Sequence, residues 1–145
     1  GLDMLGRRAV YRVGPADRDH GDEAVTEIAA TIGPLALRPL SPVQARARRT
    51  PAGVALSWIR RTRIDGDAWD LVEVPLGEAS EAYRVEILDG PAVVRSFTVA
   101  TPALTYAAAD EIADFGTAQP FLDIRIAQLS ATVGAGEALA ARVLL

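Results

Sequence analysis

The residues best suited to recognition chemistry crowd into one short stretch that follows a candidate core strand. Arg60, Arg61 and Arg63 lead into an acidic turn that begins at Asp65, and Trp69 follows the turn. Arginine and tryptophan are enriched among the residues that dominate binding energy at protein interfaces. The sequence therefore offers one candidate interaction surface, made of Arg60, Arg61, Arg63 and Trp69.

The same stretch also has a purely structural interpretation, which we favour. Large aromatic side chains are mostly buried, so Trp69 could fold back and cover the end of a core. The arginines would then pair with nearby carboxylates, namely those of Asp65, Asp67 and Asp70. Solvent exposure of the Trp69 ring distinguishes the two interpretations.

Carboxylates and histidine are not arranged as a catalytic or metal-binding pattern. A calcium loop needs further oxygen ligands after Asp65 and Asp67, and Glu73 comes too early to supply the closing bidentate carboxylate. His20 is the only histidine and cysteine is absent, which argues against zinc and excludes thiol chemistry and disulfides. The acidic residues fall on outward strand faces and in turns. We therefore predict no enzyme activity, no catalytic residue, no metal and no cofactor for this chain.

The length and the amino-acid composition of the chain limit its domain organisation and argue against nucleic acid and membranes as partners. The chain has 145 residues, which suits one ordinary domain or one domain with a fragment of another. With 15 basic and 19 acidic residues it does not favour a nucleic-acid surface, which usually needs a basic stripe. No apolar run is long enough to span a bilayer, so we expect no membrane insertion. Because position 1 is glycine rather than an initiator methionine, we expect a piece of a longer chain.

A proline-rich passage at 33–42 divides the chain into two predicted regions. Proline cannot donate a backbone hydrogen bond and disfavours helix in its neighbours, so this passage indicates a linker. Before it lie a candidate strand at 7–13 and a segment at 24–31 that suits either a strand or a short helix. Two strands do not form an independent core. We therefore assign 1–40 to the end of a preceding domain, or to a β-hairpin with a linker, and 41–145 to the main domain.

After the linker, polar and apolar residues alternate with the period of β-strands. Seven strands are predicted, at 42–48, 53–59, 82–88, 92–99, 103–106, 121–129 and 138–145. Turn signals separate them, as in an antiparallel β-sandwich. One segment, 107–116, instead has Ala108, Ile112 and Phe115 at helical spacing and ends in Gly116. We therefore predict a short helical turn whose apolar side, formed by these three residues, lies on the sandwich.

Several strands resemble those of fibronectin type III domains. Val54-Ala-Leu-Ser-Trp58 resembles their second strand, whose tryptophan fills the core, and Tyr83-Arg-Val-Glu-Ile87 resembles the third. Ile124-Arg-Ile-Ala, followed by Gly134-Ala-Gly, resembles the sixth strand and the loop after it. Leu122 stands where the family usually has its corner tyrosine, which implies that this hydrogen bond is absent. The resemblance covers 42–145 and implies an all-β, fibronectin type III-like (immunoglobulin-like) antiparallel sandwich, with an N-terminal β segment from a preceding domain.

A closer resemblance extends over about a hundred residues. The blocks LSPVQARARR, LSWIRRTRIDGDAW, EVPLGEASEAYRVEILDG, LTYAAADEIADFG and IAQLSATVGAGEA follow one another in the order seen in one family. This family is the large multidomain tail-tip protein (host specificity or baseplate protein) of gene transfer agents and related siphophage tails, and the blocks resemble its C-terminal part. The resemblance implies a longer parent chain with hub and glycosidase-like barrel domains upstream, to which any hydrolase activity would belong.

Two functional hypotheses follow from this resemblance. The first is a non-catalytic structural and interaction module of a phage-like tail tip, made in the bacterial cytoplasm and located in the particle tail. Its partners would be other tail-tip or baseplate subunits and a host-surface glycan or receptor. The 25 positions from Trp58 to Tyr83 imply an insertion at one end of the sandwich, where such modules carry contacts. The second hypothesis is a carbohydrate-binding module attached to the upstream glycosidase-like domain, which an exposed Trp69 ring would favour.

Overall fold

The computed structural model describes residues 2–68, 70 and 72–145. The chain divides into two compact units, Gly1–Leu37 and Arg38–Leu145. The sequence places this division after residue 40, within the same proline-rich passage. Trp69 lies outside the described residues.

The first unit is built around a two-stranded antiparallel hairpin. Strand β1 spans Arg8–Val13 and strand β2 spans Thr26–Thr31, with short 3-10 helices at Leu2–Met4 and Leu35–Leu37. The segment at 24–31, whose sequence suited either a strand or a short helix, thus contains a strand. Tyr11 faces Ile28 across the hairpin, and both side chains are about half exposed.

The second unit is a sandwich of two antiparallel sheets. One sheet has three strands in the order β3-β4-β7, and the other has four in the order β6-β5-β8-β9. Their bounds are Val43–Thr50 for β3, Gly53–Ile59 for β4, Tyr83–Asp89 for β5, Ala92–Val99 for β6, Ala103–Ala107 for β7, Phe121–Ser130 for β8 and Gly134–Leu144 for β9. The predicted all-β antiparallel sandwich is confirmed.

The core of the sandwich comes from alternate residues of the central strands. Strand β4 contributes Val54, Leu56 and Trp58, as its period of two predicts. The facing strands β5 and β8 contribute six further buried side chains, Tyr83, Val85, Ile87, Leu122, Ile124 and Ile126. The Trp58 and Tyr83 rings meet edge to face, with 5.3 Å between their centroids.

The short helix α1, Ala108–Phe115, connects β7 to β8. It ends at Gly116, whose φ of 76° is left-handed and whose N–H donates to the Ile112 carbonyl at 2.8 Å. The predicted apolar side of the helix is only partly correct: Phe115 packs against the core, whereas Ala108 is exposed and the Ile112 side chain is 49 % exposed. Glu111 is buried instead, because Arg49 of β3 donates to both of its carboxylate oxygens, at 2.7 and 3.0 Å.

Candidate functional site

The loop at 60–82, between β4 and β5, carries the predicted interaction residues. Its first arginine, Arg60, is only 14 % exposed at its side chain. The guanidinium donates to the Pro75 carbonyl at 3.0 Å, the Val74 carbonyl at 2.8 Å and the Glu73 carboxylate at 2.9 Å. Arg60 therefore ties the start of the loop to its second half.

A second arginine braces the same loop a few residues further on. Arg63 donates to the Glu78 carboxylate at 3.0 Å and to the Gly77 carbonyl at 3.3 Å. The Glu78 side chain is 7 % exposed, so this ion pair is largely shielded from water. A shielded, hydrogen-bonded pair depends strongly on both partners, because removing one leaves the other charge uncompensated.

Arg61 points away from these two braces. Its Nε donates to the Ser41 carbonyl at 2.7 Å, just before β3 begins, and the residue remains exposed. Arg61 thus joins the loop to the chain that enters the first strand of the sandwich.

The structure separates the predicted site residues into different roles. Arg60 and Arg63 take Glu73 and Glu78 as partners, rather than the expected carboxylates of the acidic turn at 65–70. Of the three arginines, only Arg61 is exposed. The prediction for Trp69 falls outside the described residues and stays a prediction.

Exposed aliphatic side chains of the loop escaped the sequence analysis. Ile64 is 43 % exposed, Val74 is 37 % exposed and Val72 is fully exposed. Ile59, at the end of β4, is 51 % exposed. Aliphatic residues between charged ones in a segment without strand alternation are the signal that could have identified them. We call these four residues the loop apolar patch.

The carboxyl and guanidinium groups of the sandwich whose pKa values are shifted belong to ion pairs. Arg49 lowers the pKa of Glu111 by donating hydrogen bonds to it, and Arg95 does the same for Asp114. Asp114 also accepts from the Tyr106 hydroxyl at 2.6 Å, and burial raises the pKa of Tyr106. A general acid needs a raised carboxyl pKa, so these lowered values suit structural charges rather than proton donors.

The described residues contain no group of three or more His, Cys, Asp or Glu side chains that could hold a metal ion. No helix in the described part of the chain is long and apolar enough to cross a membrane.

The described residues of the sandwich line at least two openings. An open trough of about 500 Å³ runs along the outer face of the three-stranded sheet, beside Arg46 and Arg48. A smaller hollow of about 200 Å³ lies beside the Phe121 ring, over which the Arg142 guanidinium sits at 4.0 Å from the ring centroid.

Comparison with known proteins supports the fold alone. No protein-family model matches the chain, and no curated protein matches it either. A solved structure, the rat CD45 extracellular region with domains d3-d4, is similar to it with a TM-score of 0.51 and 9 % sequence identity. The similarity covers 94 % of this chain and 64 % of that one. The predicted fibronectin type III-like β-sandwich is thereby confirmed.

Proposed function

We propose that this chain is a non-catalytic structural and interaction module of a phage-like tail tip. The sequence blocks that resemble the tail-tip family support this assignment. One structural observation carries the interaction role: the loop at 60–82 is braced internally by Arg60 and Arg63, yet it presents the loop apolar patch to solvent.

This arrangement favours binding because part of the entropy cost of ordering the loop arises when the chain folds. Two guanidinium groups hold the loop through carboxylate and carbonyl oxygens, so part of its ordering entropy is lost on folding rather than on association. The exposed aliphatic side chains then supply apolar area, and exposed charged residues of the same loop, such as Arg61 and Asp65, are close to them in sequence. An apolar centre with a polar rim is the usual anatomy of a protein interface.

In this proposal the partner of the loop is a neighbouring tail-tip or baseplate subunit. The sandwich acts as a rigid support that positions host-recognition parts of the particle. Arg61 and Trp69 are the polar and aromatic side chains that we expect to contact this partner. The chain is made in the bacterial cytoplasm and works in the particle tail.

The experiment replaces two apolar contacts without touching the braces. Ile64→Ser with Val72→Ser, introduced in the parent protein, should lower particle assembly or host adsorption by about tenfold, as for interface residues worth roughly 1.4 kcal/mol together. The matched control is Val93→Ser with Ile112→Ser, which removes apolar side chains that are 42 % and 49 % exposed elsewhere on the sandwich. Normal particle yield and normal host binding in the loop variant would refute the proposal.

The second candidate is a carbohydrate-binding module attached to an upstream glycosidase-like domain. The hollow beside Phe121 favours it, because an aromatic ring there adjoins the paired Arg142 and Asp123 side chains. Glycan-array binding by the chain that is lost in Phe121→Ala, with melting unchanged, would support this candidate. Glycan binding that persists in Phe121→Ala would show that the hollow is not the sugar-binding site.

The indole of Trp69 can be tested separately. The chain has two tryptophans, so Trp58→Phe leaves Trp69 as the only indole fluorophore. Strong acrylamide quenching of its emission, with a shift on adding a binding glycan, would favour the carbohydrate-binding candidate. Weak quenching would instead favour the structural interpretation of Trp69.

A further inference from the structure

The arginines of the second unit are almost all engaged. Nine of the eleven hold a carboxylate or carbonyl oxygen within 4 Å. The two that have no such partner among the described residues are Arg46 and Arg48, both on β3 and both exposed. Their lack of partners is notable because the chain as a whole is acidic, with a net charge of −4.

Strand geometry places these two cations on one face. A β-bulge near Gln44, where φ is 52°, shifts the register of β3, and pairing resumes with Arg46 opposite Ser57 and Arg48 opposite Ala55. Ala47 between them is half-buried and turns inward. Residues two apart on a strand point the same way, about 6.6–6.8 Å from each other.

The outward-facing floor beside the two arginines is made of small side chains, and the larger Leu56, which also lines the trough, is buried in the core. Ala55, Ser57 and Ala103 line the trough of about 500 Å³ next to Arg46 and Arg48. Among the described residues, neither a carboxylate nor an aromatic ring lines it. The described lining thus offers cationic donors and room near the sheet, but no ring on which a base or a sugar could stack.

We propose that this trough binds an extended acidic segment of a partner protein, with carboxylates on alternate residues. Alternate side chains of an extended peptide repeat at the same spacing as Arg46 and Arg48, so two carboxylates can each meet one guanidinium. Arginine and carboxylate form bidentate hydrogen bonds, which adds geometric selectivity to charge attraction. Small floor residues let the peptide backbone lie close to the sheet. This proposal is independent of the loop apolar patch and of the tail-tip assignment.

The test measures binding of two synthetic peptides to the full chain at low salt. The first is eight residues long and alternates glutamate with serine. The second has the same composition, but its glutamates stand in adjacent pairs, so no two carboxylates are two residues apart. We expect the alternating peptide to bind at least about fivefold more tightly, and its affinity to fall with added salt.

Charge-matched variants assign the binding to the trough. Arg46→Gln with Arg48→Gln should weaken the alternating peptide about tenfold or more and reduce its salt dependence. Arg7→Gln with Arg8→Gln removes the same charge from the first unit, where those arginines also lack an ion-pair partner in the described residues, and should leave affinity within about twofold. Circular dichroism melting should be unchanged in both variants.

Three results of the peptide experiments would overturn the proposal: no binding of the alternating peptide by the unaltered chain, equal affinity for the two peptides, and equal weakening by the two arginine variants. Evidence for either of two other occupants would also overturn it. Heparin bound more tightly than the peptide and lost with Arg46 and Arg48 would assign the trough to an anionic glycan. Self-association in sedimentation, lost with the same two arginines, would assign it to a second copy of the chain.

Discussion

Replacing Trp58 tests whether the two sheets are held together as the structure shows. The residue is 4 % exposed and packs edge to face against Tyr83. Burying about 200 Å² of aromatic surface at roughly 25 cal/mol per Å² contributes about 5 kcal/mol, an upper estimate because unfolded chains are partly compact. Trp58→Ala should therefore lower the free energy of unfolding by about 3–5 kcal/mol.

Trp58→Phe should behave differently because of the indole nitrogen. The Nε1–H of Trp58 is buried and has no hydrogen-bond partner among the residues that the structure describes. An unsatisfied buried donor costs about 1–3 kcal/mol, and phenylalanine removes it. This gain offsets the smaller ring volume, so we expect Trp58→Phe to change the free energy of unfolding by no more than about 1 kcal/mol.

Urea unfolding followed by far-ultraviolet circular dichroism is the suitable assay, because either substitution would alter a fluorescence signal. Ile59→Ala is the matched control: it lies next to Trp58 on β4 but is 51 % exposed, so a loss within about 1 kcal/mol is expected. A loss below about 1 kcal/mol for Trp58→Ala would mean that the indole does not lie in the core. A Trp58→Phe loss as large as that of Trp58→Ala would refute the reasoning about the nitrogen.

Two further substitutions probe the frame of the sandwich. Glu111→Gln should cost about 2 kcal/mol at pH 7, because Glu111 accepts charge-assisted hydrogen bonds from Arg49. Since Arg49 lowers the folded-state pKa of Glu111, that stabilisation is complete above the ordinary pKa of 4.5 and is lost as pH falls through the folded value. In urea unfolding at pH 3, the difference in the free energy of unfolding between the unaltered chain and Glu111→Gln should thus be smaller than at pH 7. A difference that does not change with pH would contradict the assignment of this stabilisation to the Glu111 carboxylate. Gly53→Ala should cost more than about 2 kcal/mol in the same assay, because its φ is 131° and a Cβ would lie 2.1 Å from the Tyr106 carbonyl oxygen. Gly90→Ala, with a φ of 56° and open space around it, should cost only about 1 kcal/mol, and equal costs would contradict the steric argument.

Local patterns predicted the frame because strand and helix periods are properties of consecutive residues. The alternation in 53–59 places Val54, Leu56 and Trp58 inward, and the structure buries all three. The helical turn and its stop at Gly116 were also predictable, since the left-handed conformation there is a local preference for glycine. The helix face was not predictable from its own residues, because Arg49, which holds Glu111, lies 62 positions earlier.

In the candidate site, too, some features follow from the local sequence and others only from the tertiary structure. By itself, the sequence determined that an arginine-rich insertion follows the strand of Trp58 and that two layers of alternating strands support it. Only the tertiary structure decided that Arg60 and Arg63 brace the loop, while Arg46 and Arg48 have no ion-pair partner in the part of the chain that the structure describes. The physical reason is that an ion pair requires two charges within a few ångströms of each other. The fold brings Glu73 to Arg60 and Glu78 to Arg63, but among the described residues it brings no carboxylate to Arg46 or Arg48.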